Sequence, residues 1–367
     1  MNKTIVLFIL TFRFSVSLLH AEVVSMASTE ETRWLRHLIP LPHEITIRKK
    51  IVLKPSEISI IGTRNSGDIE RNAVTEIQRL FKAKTGNIPS GEKFTIVVGV
   101  VDRSGKLNGT PIKEFRRLKS LPNNDQAYII QPNGETALLL AALEGKGVYY
   151  AAATLIQLIE PCITRDTVSI PLAEVIDWPD MEERGLWNFE NPPEWIPWLA
   201  SLKLNYGKMV DTRIHTVERG IKNRVTIDRN LMMKARLVGF NYLPFIMHFN
   251  FLHDYGLFRA YPELAGVSDS ALSGRYFAHK SGNQHRVPCT SQPLFTKILT
   301  EWMMDIAAQG ANEVSCWLSE RPAQCGCKDC TAVGQFVLEA RACVNAWRET
   351  RKIYPDFTIR LFMSTTT

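Results

Sequence analysis

The sequence predicts a small α+β domain over residues 22–172, followed by an α/β domain of the (β/α)8-barrel type over residues 173–367. In the first region strands and helices succeed one another without strict alternation, which is typical of one sheet with helices packed on it. From Met181 onwards strands and helices alternate strictly, which predicts parallel βα units. These two patterns predict two domains of different class.

The first 21 residues have the features of a secretory signal peptide. Lys3 precedes an apolar run that ends in small and polar residues, with Ala21 as the expected cleavage position. Arg13 interrupts the run, which argues against a membrane-spanning helix, although a short membrane anchor is the alternative. We therefore expect an exported protein, periplasmic or extracellular, with no membrane span after cleavage.

The composition is that of a globular protein, with 45% hydrophobic and 22% charged residues among 367. The formal net charge of +7 is dispersed, and the longest basic run is Arg48-Lys49-Lys50. A dispersed positive charge is mostly solvated, so we expect no nucleic-acid partner.

The first domain is predicted to follow the order β-α-β-β-β-α. Period-two patterns and apolar runs predict the strands, a one-sided apolar pattern predicts the first helix, and turn residues predict a hairpin. The predicted strands are residues 50–62, 93–101 and the hairpin 126–143, and the predicted helices are 68–86 and 145–161. Two prolines and an acidic cluster in VSIPLAEVIDWPDMEERG, residues 168–185, predict a linker into the second domain.

The second domain is predicted to contain about five strands and four helices. The strands are residues 184–190, 204–215, 241–250, 311–320 and 357–367, and the helices are 192–203, 228–240, 290–310 and 332–355. A complete (β/α)8 barrel needs about 250 residues. We therefore expect a barrel that is cut short after about five strands.

GKGVYYAAATLIQLIE, followed by IPLAEVIDWPDMEERGLW, resembles the domain junction of family 20 glycoside hydrolases. There a small zincin-like α+β domain ends in a helix of the form G-x-(Y/F)-Y-(G/A)-x-x-T-L-x-Q-L. An I-x-D-x-P segment and an R-G pair at the first barrel strand follow. The matching residues are Gly147, Tyr150, Thr154, Leu155, Gln157, Leu158, Ile176, Asp177, Pro179, Arg184 and Gly185. The resemblance covers roughly residues 40–367 and implies a zincin-like domain followed by a barrel.

The resemblance implies an exported glycoside hydrolase similar to β-N-acetylhexosaminidases, which removes terminal N-acetylhexosamine from glycans and needs no cofactor. The expected partner is an oligosaccharide or glycoconjugate. A glycosidase of another specificity, such as an α-glucuronidase-like enzyme, is one alternative. A non-catalytic or truncated carbohydrate-binding protein is the other, and the short C-terminus favours it.

The resemblance also implies a general acid at Glu320, where the family's fourth strand ends in an Asp-Glu pair. Substrate-assisted enzymes of this family use the substrate's acetamido oxygen as nucleophile. The Asp that holds the acetamido group in the family is replaced here by Ser319, and a serine cannot stabilise an oxazolinium cation by charge. Either another carboxylate does so, or the substrate lacks the acetamido group, or activity is poor.

Five further residues are candidate substrate contacts. Arg184 opens the first predicted strand and could bind sugar hydroxyls, or could pair with nearby acids. Asp211 and His248 end the second and third predicted strands, and His253 competes with His248. Trp317 could stack on a sugar, and Ser319 could donate a hydrogen bond to one.

The CxCxxC cluster of Cys325, Cys327 and Cys330 follows Glu320 in the next loop. In an exported protein disulfides are available, and we consider them at least as plausible as a structural metal site. For a metal, Cys316, Cys343 or a histidine would be the fourth ligand. Free thiols are the third alternative, and in each case the cluster would fix the loop near Glu320.

Overall fold

The computed structural model of the protein describes residues 22–186, 193–209, 212–272, 285–320 and 323–363. The predicted signal peptide therefore lies outside the described residues. The chain divides into two compact units. The first holds the chain up to Ser66 and from Ala73 to Trp178, and the second holds Gly67–Asn72 and the chain from Pro179.

The first unit is built around one sheet with helices packed on it. Its elements in chain order are β1 (Glu22–Ser25), α1 (Ser28–Leu35), β2 (Glu44–Leu53), β3 (Ile58–Gly62), α2 (Asp68–Thr85), β4 (Phe94–Val100), β5 (Lys106–Leu107), β6 (Thr110–Pro111), α3 (Phe115–Ser120), β7 (Tyr128–Asn133), β8 (Ala137–Ala142), α4 (Gly145–Ile159) and β9 (Val168–Asp177). The seven-stranded sheet has the order β1-β2-β9-β7-β8-β4-β3. Strands β3, β4 and β8 are parallel to their neighbours in that group, and the other pairings are antiparallel.

The predicted helices α2 and α4 and the predicted hairpin are confirmed. The hairpin joins β7 to β8, with Asn133 opposite Ala137. The strand predicted over residues 50–62 is instead the end of β2 and all of β3, separated by a 3-10 turn that begins at Pro55. Proline cannot donate to a strand ladder, which explains the interruption.

The segment predicted as a linker is mostly strand β9, which lies between β2 and β7 in the sheet. Most of its side chains are buried, so burial of the apolar residues favours a strand here although the segment contains a proline. Pro171 pairs with Lys50 next to a register shift in β2, where a missing ladder hydrogen bond is tolerated. The first unit consequently ends at Trp178 rather than at residue 172.

Helix α4 contacts the sheet closely, and its sequence explains how. A Cβ atom at Gly147 would lie 2.4 Å from the carbonyl oxygen of Ala127, so only glycine permits this approach. Two turns further on, Thr154 Oγ1 lies 2.6 Å from the buried Tyr128 hydroxyl. These two contacts explain the roles of glycine and threonine in the GKGVYYAAATLIQLIE motif.

The second unit alternates short strands with helices. Its elements are α5 (Ile196–Ser201), β10 (Tyr206–Lys208), β11 (Arg213–Ile214), β12 (Val225–Thr226), α6 (Arg229–Leu237), β13 (Asn241–Leu243), β14 (Phe245–Ile246), α7 (Leu257–Ala260), α8 (Pro293–Ala308), β15 (Glu313–Trp317), α9 (Lys328–Val333), α10 (Gln335–Arg351) and β16 (Thr358–Phe362).

The parallel pairing predicted for the second unit is confirmed for β10, β13, β14, β15 and β16, whereas β11 and β12 pair antiparallel. Strand β10 is parallel to β13, and β14, β15 and β16 form a parallel three-stranded sheet. Of the predicted first strand, Gly185 forms a parallel bridge with Tyr206, and the residues from 187 onwards lie outside the described ranges. Pro244 separates β13 from β14 within the single predicted strand.

Within the described ranges, no helix combines the length and the apolar character that a membrane crossing requires.

Candidate functional site

The candidate site lies where β14 and β15 end. These neighbouring parallel strands pair Ile246 with Cys316, so the residues that follow them leave the sheet at the same edge. His248 comes two residues after β14, and Glu320 comes three residues after β15. The carboxyl ends of parallel strands are where catalytic groups gather in α/β folds. The two residues predicted from strand ends are thereby brought together.

His248 and Glu320 form a buried pair. His248 Nε2 lies 3.1 Å from Glu320 Oε1, and His248 Nδ1 lies 2.6 Å from the carbonyl oxygen of Leu318. His248 is 4% exposed and Glu320 is 8% exposed. The backbone N–H of Glu320 donates to Asn250 Oδ1 at 3.1 Å, which fixes the main chain that carries the carboxyl group.

The contacts of His248 assign the tautomer of its ring. A carbonyl oxygen only accepts, so Nδ1 beside Leu318 carries a hydrogen. In a neutral ring Nε2 is then unprotonated where it faces Glu320 Oε1, whereas in a charged ring Nε2 carries a hydrogen there.

The surroundings of His248 favour the neutral ring. Burial lowers the pKa of His248 and has the largest effect on it. The charge of the nearby Lys208 lowers the pKa of His248 further. The hydrogen bond to Leu318 and the charge of Glu320 raise this pKa, but by less than burial lowers it. Among the described residues, three aromatic rings lie within 6 Å of the imidazole: Trp317 at 4.9 Å, Phe251 at 5.7 Å and Phe362 at 5.8 Å between centroids.

The second carboxyl oxygen of Glu320 is different from the first. Oε2 is buried and has no hydrogen-bond partner among the residues that the structure describes. Buried polar atoms without a partner are rare because desolvating them costs about 1–3 kcal/mol. Oε2 is therefore the oxygen of Glu320 whose hydrogen bonding the described residues leave unfilled.

Ser319 is turned away from this oxygen, towards helix α10. It is fully buried, its hydroxyl donates to Glu339 Oε1 at 2.5 Å, and its N–H donates to Glu339 Oε2 at 2.8 Å. Gln335 Nε2 donates to the same carboxyl group at 2.8 Å. Burial raises the pKa of Glu339 to about 7, although the hydrogen bonds from Ser319 and Gln335 lower it. A substrate role for Ser319 stays a prediction, and its hydroxyl is engaged in the interior.

Trp317 lies against other rings. It stacks on Phe245 with centroids 4.5 Å apart, and Lys208 Nζ lies 5.5 Å from its ring centroid. Its indole N–H donates to Ser315 at 3.1 Å, and the residue is buried. These contacts make Trp317 part of the apolar wall around His248, while the predicted stacking on a sugar stays untested.

Arg184 is placed elsewhere. It precedes Gly185, which bridges to the first residue of β10, so Arg184 lies at the amino ends of the parallel strands rather than at the end that carries Glu320. Its guanidinium donates to main-chain carbonyls, at 2.8 and 3.0 Å to Lys203 and at 2.5 Å to Met181. The structure does not bring Arg184 together with His248 and Glu320, and its contacts favour a structural role. Asp211 lies outside the described residues.

The cysteine cluster contains four members rather than three. Cys325, Cys327 and Cys330 converge with Cys289, and the four sulfur atoms all lie within 4.8 Å of one another. Cys316 and Cys343, the predicted additional ligands, contact each other within the fold and are absent from this cluster. All seven cysteines lie in the described ranges and are free thiols. The prediction of the fourth ligand was wrong because Cys289 is 36 residues from Cys325 in the sequence, so its spacing does not link it to the other three cysteines.

Two further residues of the site were not anticipated. Glu339 lies inside helix α10, where a charged residue is usually solvent-exposed, and only its fully buried position reveals its contact with Ser319. Asn250 follows His248 by two residues and holds the backbone of Glu320. An amide so close to a candidate histidine is the only sequence signal that could have pointed to it.

Comparison with known proteins shows which solved structures have a similar fold. No family model matches the chain, and no curated protein matches it. Among solved structures, a GH20 exo β-N-acetylglucosaminidase from Vibrio harveyi in complex with N-acetylglucosamine has a TM-score of 0.59 at 17% identity, over 90% of this chain and 55% of that one.

Two other hexosaminidases of known structure have a similar fold. The GH20 β-N-acetylhexosaminidase from Streptomyces coelicolor A3(2) has a TM-score of 0.55 at 15% identity, over 89% of this chain and 66% of that one. The N-acetyl-β-hexosaminidase from Streptomyces plicatus has a TM-score of 0.54 at 13% identity, over 90% and 65%. The fold resembles that of GH20 enzymes. The chain spans about half the length of the Vibrio enzyme, and at these identities the likeness concerns the fold alone.

Proposed function

We propose that the chain is a glycoside hydrolase that removes terminal N-acetylhexosamine, with Glu320 as the general acid. The observation that carries the proposal is the buried pair of His248 and Glu320, in which Oε2 has no hydrogen-bond partner among the described residues. Its position at the carboxyl ends of parallel strands and the likeness to GH20 enzymes support the same assignment.

Glu320 meets the requirements of an acid that protonates a leaving group. A glycosidic oxygen bound at Oε2 would lie within reach of the carboxyl group that is to protonate it. A half-turn about the Cγ–Cδ bond exchanges the two oxygens, so the protonated one can face the substrate. As the C1–O bond breaks, the proton passes to the leaving oxygen, and His248 holds the side chain of Glu320 in position. Water then bonds to C1 and gives one proton to the carboxylate of Glu320.

Ser319 supports a second candidate, a glycosidase whose substrate lacks the acetamido group. No carboxylate stands at position 319, and the nearby Glu339 is committed to Ser319 and Gln335. If the substrate is an N-acetylhexosaminide, charge stabilisation must come from another residue, for which the untested Asp211 is the candidate. An α-glucuronidase-like specificity needs no such group.

We also propose that the second unit is the first part of a (β/α)8-type barrel, and that the first unit is the zincin-like domain of these enzymes. The parallel pairings of β10 with β13 and of β14, β15 and β16 support the barrel. Export, with cleavage near Ala21, belongs to the same proposal and rests on the sequence.

The test is hydrolysis of a chromogenic N-acetyl-β-glucosaminide by the chain, its Glu320→Gln variant and a matched Glu349→Gln control. Glu349 is an exposed residue on α10 that pairs with Lys352, so its replacement should leave the rate unchanged. Hydrolysis that disappears only in Glu320→Gln supports the proposal. Hydrolysis of an aryl uronide instead would establish the second candidate. A folded chain that cleaves neither substrate, but binds sugar, would contradict both.

A further inference from the structure

Cys289, Cys325, Cys327 and Cys330 come from two separate segments of the chain. Cys289 lies just before helix α8, Cys325 and Cys327 lie in the loop after β15, and Cys330 lies in the first turn of α9. Cys289, Cys325 and Cys330 are buried and Cys327 is partly buried. A cluster of four thiols from distant segments requires an explanation beyond ordinary apolar packing.

The spacing of the sulfur atoms matches a tetrahedral metal site. Zinc–thiolate bonds of about 2.3 Å in a tetrahedron put the sulfur atoms about 3.8 Å apart. Cys289 Sγ lies 3.7 Å from Cys327 Sγ and 3.9 Å from Cys330 Sγ. A disulfide would bring two of these atoms to about 2.05 Å, which neither pair approaches.

The groups around the sulfur atoms also fit thiolate ligands. The N–H of Cys330 donates to Cys327 Sγ at 3.4 Å, across the turn that begins α9. The hydroxyl of Ser291 lies 3.3 Å from Cys289 Sγ, 3.5 Å from Cys330 Sγ and 3.7 Å from Cys327 Sγ. Hydrogen-bond donors to the ligand atoms are a regular part of metal sites because they orient the ligands and stabilise their charge.

The loop that presents the cluster is held in place by its own backbone contacts. Gly326, between two of the cysteines, donates to the Val267 carbonyl at 2.9 Å. A Cβ atom there would lie 2.0 Å from Ser268 Oγ, so the position requires glycine. The sulfur atoms of Cys325 and Cys327 are thereby presented to Cys289 by a tightly packed loop.

We propose that these four cysteines bind one structural zinc ion. Four thiolates complete the tetrahedron and leave no open position, which is the arrangement of structural rather than catalytic zinc. The ion would join the segment before α8 to the loop that follows Glu320. Cys325 N–H donates to Gln335, and Gln335 donates to Glu339, which in turn accepts from Ser319. The zinc site therefore anchors one end of a hydrogen-bond chain that reaches the residue next to Glu320.

The experiment measures metal in the full chain, purified without chelator from zinc-supplemented medium. Inductively coupled plasma mass spectrometry should find about one zinc ion per chain. Cobalt bound to the chelator-stripped chain should show the visible bands of a tetrahedral thiolate site, and one equivalent of zinc should abolish them. Less than about a tenth of an equivalent of zinc in the folded chain would overturn the proposal. Stoichiometric iron, or two disulfides in place of four thiols, would do the same.

Three variants identify the site. Cys327→Ser, at the least buried member, should lower the zinc content roughly five-fold or more, whereas Cys162→Ser, in the first unit, should leave it unchanged. Ser291→Ala keeps all four ligands and should weaken zinc affinity about ten-fold. If Cys327→Ser does not fold, the cobalt spectrum of the intact chain still decides, since it reports thiolate ligation directly. Zinc retained by a folded Cys327→Ser chain would contradict the assignment.

Discussion

The two ends of the parallel strands in the second unit hold acidic residues in opposite ways. At the amino ends Arg360 donates to Glu183 and to Glu313, and Glu313 also accepts from Asn241 at 3.2 Å. At the carboxyl ends Glu320 contacts His248 and leaves Oε2 without a partner within the described residues. The first arrangement pairs charges that remain partly exposed, and the second buries a carboxyl group.

The difference separates stability from chemistry. Partly exposed ion pairs that form a network contribute modestly to folding and have no unsatisfied group. A buried carboxyl oxygen without a partner lowers stability, and such positions are retained where a reaction needs them. The comparison predicts that changes at the carboxyl ends affect activity and that changes at the amino ends affect stability.

The largest expected effect is the loss of activity in Glu320→Gln. A general acid contributes roughly 10²–10⁴-fold, so we expect kcat to fall about 10³-fold. Because the amide keeps the size of the side chain and removes a buried ionisable group, the melting temperature should not fall. Steady-state kinetics and calorimetry measure both. A variant that loses stability together with activity would contradict the predicted separation of activity from stability.

The next effect is a pH dependence of stability caused by Glu339, whose pKa rises from 4.5 to about 7 on folding. Between these values the folded chain binds a proton that the unfolded chain does not, so the free energy of unfolding falls as pH rises. The full change is on the order of 3 kcal/mol. His248 has the opposite sign, since a buried neutral histidine loses stability as pH falls below its unfolded value.

Denaturant unfolding at pH 5 and pH 8 isolates this effect when wild type is compared with Glu339→Gln. The wild type should lose more stability than the variant between the two pH values. His248 is present in both proteins and cancels in the difference. Equal losses would show that Glu339 does not titrate in this range.

A smaller effect is expected from His248→Ala, with kcat lower by about 30-fold, or roughly 2 kcal/mol. His248 positions the carboxyl group of Glu320, so the loss should appear in kcat rather than in KM. His248→Gln, whose side-chain amide can still contact Oε1, should recover part of the rate. Rates of the three proteins from pH 5 to pH 8 provide the measurement. An unchanged kcat in His248→Ala would remove the histidine from the mechanism.

The smallest effect is expected at the amino ends. Arg360→Met removes the partner of Glu183 and Glu313, and the side chain is about one-third exposed. We expect the free energy of unfolding to fall by about 1 kcal/mol, with kcat within two-fold of wild type. Chemical denaturation and steady-state kinetics give the two values. A large loss of activity would show that the two ends are coupled.

Much of the fold was predictable because its signals are local. Helices α2 and α4 show one-sided or continuous apolar patterns, and the β7–β8 hairpin has a Pro-Asn-Gly turn. His248 and Glu320 were predicted together because both follow strands that were expected to be parallel. Strand β9 was missed, since its proline and acidic residues resemble a linker until its pairing with β2 and β7 is known.

By itself, the sequence determined the order of strands and helices, the parallel strands of the second unit and the strand ends that carry His248 and Glu320. Only the tertiary structure decided which side chains meet. It joined Ser319 to Glu339, added Cys289 to three later cysteines and placed Arg184 at the opposite end from Glu320. Periodicity reports which face of one element is buried, whereas a contact between distant residues depends on how several elements pack.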